Sequence, residues 1–393
     1  MTETPGDTPT ANPLVLVIWI AEPLSLSGGE PGGAVLNEAF ATFDEQYPDI
    51  RVEVYQKEIS GPGGTLDYLQ TASAAAPAVL PDIALLDREA LSAAARGGLI
   101  VPLDDLITPS LRQSLYPAAT ALATVDGRLV AVPYLMEMEH LVYRTTVFRG
   151  KPPTSLETVL ENTVPFHFPA APADTVSTTV LTQYLADGGR LVGEDGLPVL
   201  DTAPLSQVLA FYEQARARRV IDPALFQLTD PADTWAMYRD RQVSLSVVSS
   251  IDYLAGQDQV RSTALAAIPN RSGQPFALVT GWSFALATRE PERQKAAIQL
   301  IEFLMSPTVQ GQYTHDAYLL PTQPTALAVW GASDPYVLFA ETLLQAAIPY
   351  PDRADQAVSA AAIQDAFEAV MLNNVPSQQA ATNAVQAARA AAP

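Results

Sequence analysis

The fold is decided by the stretch Gly127–Phe148, whose sequence is GRLVAVPYLMEMEHLVYRTTVF. A glycine turn begins it, and a charged, methionine-rich patch separates two apolar extended runs. Pro133 cannot donate to a central ladder, so we expect it to end the first run or to lie at a sheet edge. Glu137 and Glu139 would share one face of an extended segment, where two carboxylates are costly unless they meet water or partners. The stretch therefore predicts a chain that leaves one sheet, crosses a wet gap and enters a second.

Length and composition limit the possible classes of protein. The chain has 393 residues, more than one hydrophobic core usually supports, so two domains are expected. Its net charge of -21, with only 22 basic residues, argues against nucleic acid as a partner. The absence of cysteine excludes disulfides, thiol catalysis and cysteine-ligated zinc, and leaves the redox compartment undetermined.

The first residues of the chain are predicted to form a leader segment. Met1–Pro13 is rich in proline and threonine and has almost nothing to bury, which predicts a disordered segment. It lacks the apolar core of a signal peptide. Two alternatives stay open: a cytoplasmic protein, or an exported one whose signal has been removed, with this segment as its tether.

Strand and helix patterns alternate after the leader. They follow in chain order as a strand at Leu14–Ile20, a helix at Ala34–Tyr47, a strand at Ile50–Tyr55, a helix at Leu66–Ala76 and a strand at Pro81–Leu86. This order predicts a doubly wound α/β unit, in which ligands bind beyond the carboxyl ends of the strands. The rule points to the loop Ala21–Gly33 and to Asp87–Glu89.

A second apolar strand is interrupted much later in the chain. FALVTGWSFALA, at Phe276–Ala287, is apolar except at Thr280–Ser283. Two such interruptions, far apart in sequence, predict two hinge strands that join the same two lobes.

Several ordered segments resemble one known family. They are the opening strand with Trp19, FDEQYPDIRVEV at Phe43–Val54, PDIALLD at Pro81–Asp87, GGLIVPLDDLI at Gly97–Ile107, DGRLVAVPY at Asp126–Tyr134, LVYRTTVF at Leu141–Phe148, GWSFALA at Gly281–Ala287 and LLPT at Leu319–Thr322. In this order they resemble the family 1 extracellular solute-binding proteins of ABC importers, which have the maltose-binding-protein-like fold of type II periplasmic binding proteins. Arg144 departs from the family's usual asparagine, as do Asp240–Arg241 from Gly-Lys and Pro152–Ser155 from Pro-Lys-Thr-Trp.

The resemblance implies an architecture and a function. It implies an α/β fold of two doubly wound lobes joined by hinge strands: Leu14–Pro133 with Val279–Pro321, and Tyr134–Leu278 with Thr322–Pro393. It further implies a non-enzymatic, monomeric receptor that binds a small polar solute, a mono- or oligosaccharide, and delivers it to the transmembrane subunits of an ABC permease. The location implied is extracellular or periplasmic, with a tether through a removed N-terminal signal or a lipid anchor.

Four candidate ligand contacts follow from the strand interruptions and strand ends. Trp282 could stack its indole on a sugar ring or pack in the core. Glu137 lies where the family often places a ligand carboxylate, and an ionised acceptor suits sugar hydroxyls or a cationic group. Glu22 and Asp87 follow strands of the first lobe, as ligand contacts or as helix caps.

The remaining candidates belong to the second lobe. Glu139 and His140 are ligand contacts or have a solvated or interlobe role. Phe166, His167 and Phe168 lie in a region where relatives often present aromatics, with core packing as the alternative for the two phenylalanines. Ser249, Ser250 and Tyr253 follow an apolar strand and could donate hydrogen bonds, whereas Trp19, Trp235 and Trp330 are expected to pack.

Other chemistries are disfavoured. His140, His167 and His315 are isolated from one another, so no metal site or other cofactor is expected. Glu137 and Glu139 point the same way rather than flanking a glycosidic bond, and the glycine-rich loops lack nucleotide-binding patterns. Two rival functions stay open: an enzyme active on glycosides on a similar scaffold, and a sensor or scaffold protein that binds a protein partner.

Overall fold

The structure is a computed structural model that describes residues 12–148, 152–171 and 175–391. The leader predicted at Met1–Pro13 lies outside the described residues except for its last two positions. Within the described ranges the chain is of the mixed α/β class, as predicted. No helix in these ranges is both long and apolar enough to span a bilayer.

The strands of the described chain are β1 (Leu14–Ile20), β2 (Ile50–Gln56), β3 (Ile83–Asp87), β4 (Thr124–Val125), β5 (Arg128–Leu129), β6 (Val132–Arg144), β7 (Leu245–Ser249), β8 (Thr263–Ala266), β9 (Ala277–Leu286), β10 (Leu320–Pro321) and β11 (Ala347–Pro349). The helices are α1 (Gly33–Gln46), α2 (Thr65–Ala75), α3 (Arg88–Arg96), α4 (Pro109–Ser114), α5 (Pro117–Leu122), α6 (Leu156–Asn162), α7 (Thr178–Ala186), α8 (Thr202–Ala217), α9 (Pro231–Arg239), α10 (Ser250–Gly256), α11 (Pro291–Leu304), α12 (Pro307–Asp316), α13 (Pro324–Leu327), α14 (Pro335–Gln345), α15 (Arg353–Met371) and α16 (Ser377–Ala390).

The chain forms two compact units. The first unit holds the residues up to Ser114 with Ala123–Tyr134 and Trp282–Ala317, and the second holds Leu115–Leu122, Leu135–Gly281 and the chain from Tyr318 onward. The chain passes from one unit to the other within β6 and within β9. Both are strands in which the sequence showed a polar interruption.

Four segments group differently from the sequence-based lobes. Tyr134 groups with the first unit, and Val279–Gly281 and Tyr318–Pro321 group with the second. Leu115–Leu122 was expected in the first lobe but groups with the second unit. The backbone N–H of Tyr116 donates to the carbonyl of Thr322 at 3.0 Å, and its hydroxyl donates to the Glu341 carboxylate. These hydrogen bonds tie the start of α5 to the C-terminal third of the chain.

The first unit is built on a twisted sheet in the order β9, β3, β1, β2. Strands β1, β2 and β3 are parallel, and β9 runs antiparallel to β3. The buried carboxylate of Asp82 fastens this sheet: it accepts hydrogen bonds from Val17 N at 2.8 Å and from Arg293 at 2.6 and 2.7 Å. The sequence predicted that strands and helices alternate along this part of the chain, as in a doubly wound unit, and the structure has this alternation in β1, α1, β2, α2 and β3.

The second unit is built around the second part of β6. Strands β7, β8 and β10 pair antiparallel with β6, and β11 pairs parallel with the start of β9. Helices α7, α8, α15 and α16 pack together over this sheet, with a core that includes Leu141, Phe168, Tyr212 and Phe367. Burial of these large side chains is the main stabilising contribution in this unit.

Both interrupted strands are continuous. Strand β6 runs from Val132 through Pro133 to Arg144, so of the two alternatives for Pro133 the first, that it ends the run, is wrong, and the second, a place at a sheet edge, stays a prediction. Its two carboxylates sit within a regular ladder, where Glu139 is paired with Ser249. Strand β9 likewise runs through Gly281, where a Cβ would lie 2.2 Å from the carbonyl oxygen of Leu135. Only glycine allows this close approach of the two backbones.

Candidate functional site

The first unit places two predicted acids at the carboxyl ends of its parallel strands. Glu22 lies just beyond β1 and is exposed. Asp87 ends β3 and accepts a hydrogen bond of 2.8 Å from Ala90 N, so it caps α3 as the alternative interpretation proposed. The cap occupies Oδ1 of Asp87 and leaves Oδ2 for other donors.

Trp282 lies beside Asp87. The two residues are register partners in the antiparallel pair of β9 and β3. The indole is half-buried, and its Nε1 is shielded from water and has no hydrogen-bond partner in the described part of the chain. A buried N–H without an acceptor is costly, so this donor is suited to a ligand oxygen.

A lysine and two aromatic rings occupy the same end of the sheet, and sequence reasoning missed them. Lys57 follows β2, and its Nζ lies 4.7 Å from the ring centroid of Trp19 and 4.4 Å from that of Tyr68. These are cation–π distances. Trp19 is buried, as expected, whereas Tyr68 is exposed. No sequence signal links the three positions, because they come from β1, β2 and α2.

In the second unit, a hydrogen bond joins the two interrupted strands. The Thr280 hydroxyl donates to Oε1 of Glu137 at 2.9 Å. Glu137 is half-buried, and burial raises the pKa of its carboxyl, although the bond from Thr280 lowers it and the charge of Asp252 raises it further. The polar interruptions of β6 and β9 are therefore in direct contact with each other.

Glu139 lies on the same face of β6 as Glu137. Burial raises the pKa of its carboxyl to about 7, a hydrogen bond from Thr178 lowers it, and the charges of Glu137 and Asp230 raise it. Its Oε2 is shielded from water and has no hydrogen-bond partner among the described residues. A buried carboxylate oxygen without a hydrogen-bond partner is rare in proteins. This oxygen is therefore a candidate acceptor for a hydrogen-bond donor of the ligand.

The serines after β7 have structural roles. Ser250 is fully buried, and its hydroxyl accepts a hydrogen bond from Met138 N at 3.2 Å, so we withdraw it as a ligand contact. Ser249 caps α10 by accepting from Asp252 N, and its hydroxyl donates to Oδ2 of Asp252 at 2.6 Å. Asp252 is a half-buried carboxylate that sequence reasoning missed. Burial raises the pKa of its carboxyl.

An aromatic cluster covers the opposite face of β6. His140 is fully buried, which lowers its pKa to about 4, and its ring contacts Tyr253, Tyr336 and Phe339 at centroid distances of 5.2 to 5.9 Å. Tyr253 stacks on Tyr336 at 5.4 Å, and Trp330 stacks on the same tyrosine at 6.4 Å. Tyr253 and Trp330 are both half-buried, so each side chain is partly exposed to solvent.

The two phenylalanines of the aromatic loop Phe166–Phe168 are not exposed to a ligand. Phe168 is fully buried and packs against Tyr212 and Phe367, so we withdraw it as a ligand contact, and Phe166 is equally buried. The loop is extended and bridges to β7 at Ser246. His167 therefore points away from the core side and is half-buried, and burial lowers its pKa.

The described residues offer no arrangement for a metal. Within residues 12–148, 152–171 and 175–391, no three histidine, cysteine, aspartate or glutamate side chains are close enough together to hold an ion.

The sequence also matches a known family. The family model described as bacterial extracellular solute-binding protein matches residues 38–339. The chain belongs to this family. The resemblance stated from the sequence motifs is thereby confirmed at the level of extracellular solute-binding proteins. No curated protein matches the sequence of this solute-binding protein.

Solved structures share the fold of this solute-binding protein over almost the whole chain. The cyclic α-maltosyl-1,6-maltose binding protein from Arthrobacter globiformis has a TM-score of 0.79 and 17% identity, with 96% of this chain and 99% of that chain covered. The sugar-binding protein MalE from Xanthomonas citri has a TM-score of 0.77 and 17% identity, with 95% of each chain covered. Maltose-bound MalE3 from T. maritima has a TM-score of 0.69 and 20% identity, with 96% and 99% covered. At these identities the likeness establishes the fold.

Proposed function

We propose that this protein is the substrate-binding component of an ABC importer and that it captures a mono- or oligosaccharide for delivery to a membrane permease. The observation that carries the proposal is the family match over residues 38–339. The names of the three similar proteins support a saccharide, because each includes maltose, a maltosyl sugar or sugar binding. The extracellular family supports an extracellular or periplasmic location, with an N-terminal tether.

The side chains of both units suit a polar, ring-shaped guest. Half-buried carboxylates accept hydrogen bonds from hydroxyl groups, and half-exposed aromatic rings stack on the apolar face of a pyranose. The contacts proposed in the first unit are Glu22, Asp87 and Trp282. Those proposed in the second unit are Glu137, Glu139, His167, Asp252, Tyr253 and Trp330.

The proposed mechanism is capture by closure and includes no covalent step. A ligand that touches both lobes only in a closed state binds that state more tightly and so shifts the population toward it. The permease would then receive the closed, loaded form. A micromolar dissociation constant corresponds to about 8 kcal/mol, which a stacked ring and several hydrogen bonds to carboxylates can supply after the costs of ordering.

A thermal-shift screen tests the proposal. The panel holds monosaccharides, disaccharides, polyols, amino acids and polyamines, and a true ligand at a hundredfold excess over its Kd stabilises by about 2.7 kcal/mol. We expect at least one saccharide to raise the melting temperature, with no product on chromatography of the incubated sugar. Turnover would favour the enzyme alternative. Stabilisation by no small molecule, together with tight binding of a signalling chain, would favour the sensor.

A further inference from the structure

Four carboxylates of the second unit act on one another. Glu137 and Glu139 share one face of β6, Asp252 lies in the first turn of α10, and Asp230 caps α9. Glu139 is the register partner of Ser249, whose hydroxyl donates to Asp252 at 2.6 Å, so β6 and β7 hold Asp252 close to the two glutamates. Besides burial, the charge of Asp252 raises the pKa of Glu137, and the charge of Asp230 raises the pKa values of Glu139 and Asp252. The four groups therefore form one acidic cluster.

The acidic cluster contains only neutral donors. Its hydrogen bonds come from Thr280 to Glu137 at 2.9 Å, from Ser249 to Asp252 at 2.6 Å, from Ala232 N to Asp230 at 2.8 Å, and from Thr178 to Glu139. In the described part of the chain, no lysine or arginine forms an ion pair with any of the four. His140 follows Glu139, but its burial keeps it neutral above a pKa of about 4.

A second observation is independent of the charges. Oε2 of Glu139 is shielded from water and has no hydrogen-bond partner in the described chain. Leaving a buried acceptor without a donor is costly, so this atom is suited to a donor from outside the protein. A metal ion does not fit the arrangement, because no three acidic or histidine side chains in the described ranges converge on one point.

From this geometry we propose that the ligand of the second unit carries an ammonium group, seated against Glu139 and Glu137, and that its class is an amino sugar with a free amine. The proposal rests on the saccharide function proposed above. A neutral sugar can donate hydroxyl hydrogens to these oxygens, but it leaves the cluster's charge uncompensated. An ammonium donates three hydrogens and also cancels a charge.

One further feature agrees with a cationic guest. The net charge of -21 raises the concentration of cations near the protein surface at low ionic strength.

The test compares matched sugars by isothermal titration calorimetry at pH 7 and low salt. The probes are glucosamine, glucose and N-acetylglucosamine, and the corresponding β-1,4-linked disaccharides. We expect each free amine to bind at least about tenfold more tightly than its hydroxyl and N-acetyl counterparts. Equal or weaker binding of the amines would overturn the inference and leave the saccharide function intact. No binding by any sugar would contradict both.

A variant assigns the selectivity to the cluster. Glu139→Gln keeps the shape of the side chain and removes its charge, so we expect the amine's advantage to fall by about tenfold and the affinity for the neutral sugar to change less than twofold. Asp258→Asn, at an exposed acid of the same unit, should change neither value. Equal losses for amine and neutral sugar would show that Glu139 only accepts a hydroxyl, and the inference would be wrong.

A measurement on the unchanged protein covers the case in which Glu139→Gln does not fold. Raising the salt from 20 mM to about 0.5 M shortens the screening length to a few ångströms. The ratio of amine to neutral affinity should fall with salt, whereas a ratio that is independent of salt would contradict charge pairing.

Discussion

The Thr280 hydroxyl lies 2.9 Å from the Glu137 carboxylate, although 143 positions separate the two residues in the sequence. Each residue belongs to a polar break in an otherwise apolar strand. The bond shows that the two breaks are neighbours within the second unit. It is also one donor that the protein itself supplies to a carboxylate proposed to bind ligand.

Thr280→Val should weaken the binding of ligand. The substitution keeps the shape of the side chain and removes the donor, so the pKa of Glu137 rises further and its ionised form loses a hydrogen bond worth about 1.5 to 3 kcal/mol. We expect roughly a tenfold loss of affinity at pH 7 by calorimetry. Thr280→Ser keeps the donor and should bind nearly as well as the natural protein. Equal affinity in all three proteins would remove Glu137 from the site.

Trp282→Ala should weaken ligand binding by at least about tenfold with little loss of fold. The ring is half-buried and its Nε1 has no acceptor in the described chain, so little native bonding is lost with it. Trp282→Phe keeps a ring face and removes the N–H, which separates stacking from hydrogen bonding. If affinity does not change in Trp282→Ala, the indole is a packing residue and this site assignment is wrong.

Glu139→Gln should change how stability depends on pH. Burial raises the pKa of its carboxyl from the ordinary value of 4.5 to about 7 in the folded protein. The folded state therefore binds more protons between these two values, and the free energy of unfolding contributed by Glu139 falls as pH rises from 4.5 to 7. The Glu139→Gln variant has no titrating carboxyl at this position, so its free energy of unfolding does not fall in this way. We expect it to match the natural protein at pH 4 and to be more stable by about 3 kcal/mol at pH 8.

Urea denaturation at several pH values measures this difference. The opposite slope from His140, which loses stability as pH falls from 6.5 toward about 4, is present in both proteins and cancels in the comparison. Asp258→Asn changes an exposed acid of the same unit and serves as the control. A difference between Glu139→Gln and the natural protein that is the same at pH 4 and pH 8 would contradict the raised pKa.

Arg293→Ala should destabilise the first unit strongly. Arg293 makes two hydrogen bonds to the buried carboxylate of Asp82 and donates to the carbonyl of Val15 at 2.7 Å. Removing one partner of a buried pair leaves the other charge uncompensated, at a cost of about 3 kcal/mol. Arg190→Ala breaks an exposed pair with Asp201 and should cost much less. Equal effects in chemical denaturation would show that burial of the Asp82 pair does not matter.

The sequence predicts well those elements whose pattern is local. The strand at Leu14–Ile20 matches its predicted bounds, and the helix predicted at Ala34–Tyr47 is observed at Gly33–Gln46, since a continuous β-branched run and an apolar helical stripe are local signals. The interrupted strands were harder. Pro133 and Gly281 look like breaks in sequence, yet both lie within extended strands, because the neighbouring backbone and the ladder decide the outcome.

The site was only partly predictable. Alternation along Phe166–Phe168 contained the signal that His167 faces away from the core, since two apolar rings at i and i+2 share one face. By contrast, nothing local indicates that Asp230 and Asp252 would act on Glu139 and Glu137. Their proximity comes from the pairing of β6 with β7 and from the helices that follow, and it exists only in the folded chain.

The four indoles give the protein an optical signal of its own. Trp19 and Trp235 are buried, whereas Trp282 and Trp330 are half-buried and lie one in each unit. A guest that covers either half-buried ring moves it into a less polar environment, and its fluorescence shifts toward shorter wavelength without any attached dye. Replacing Trp282 or Trp330 singly with phenylalanine then tells which unit the guest has reached.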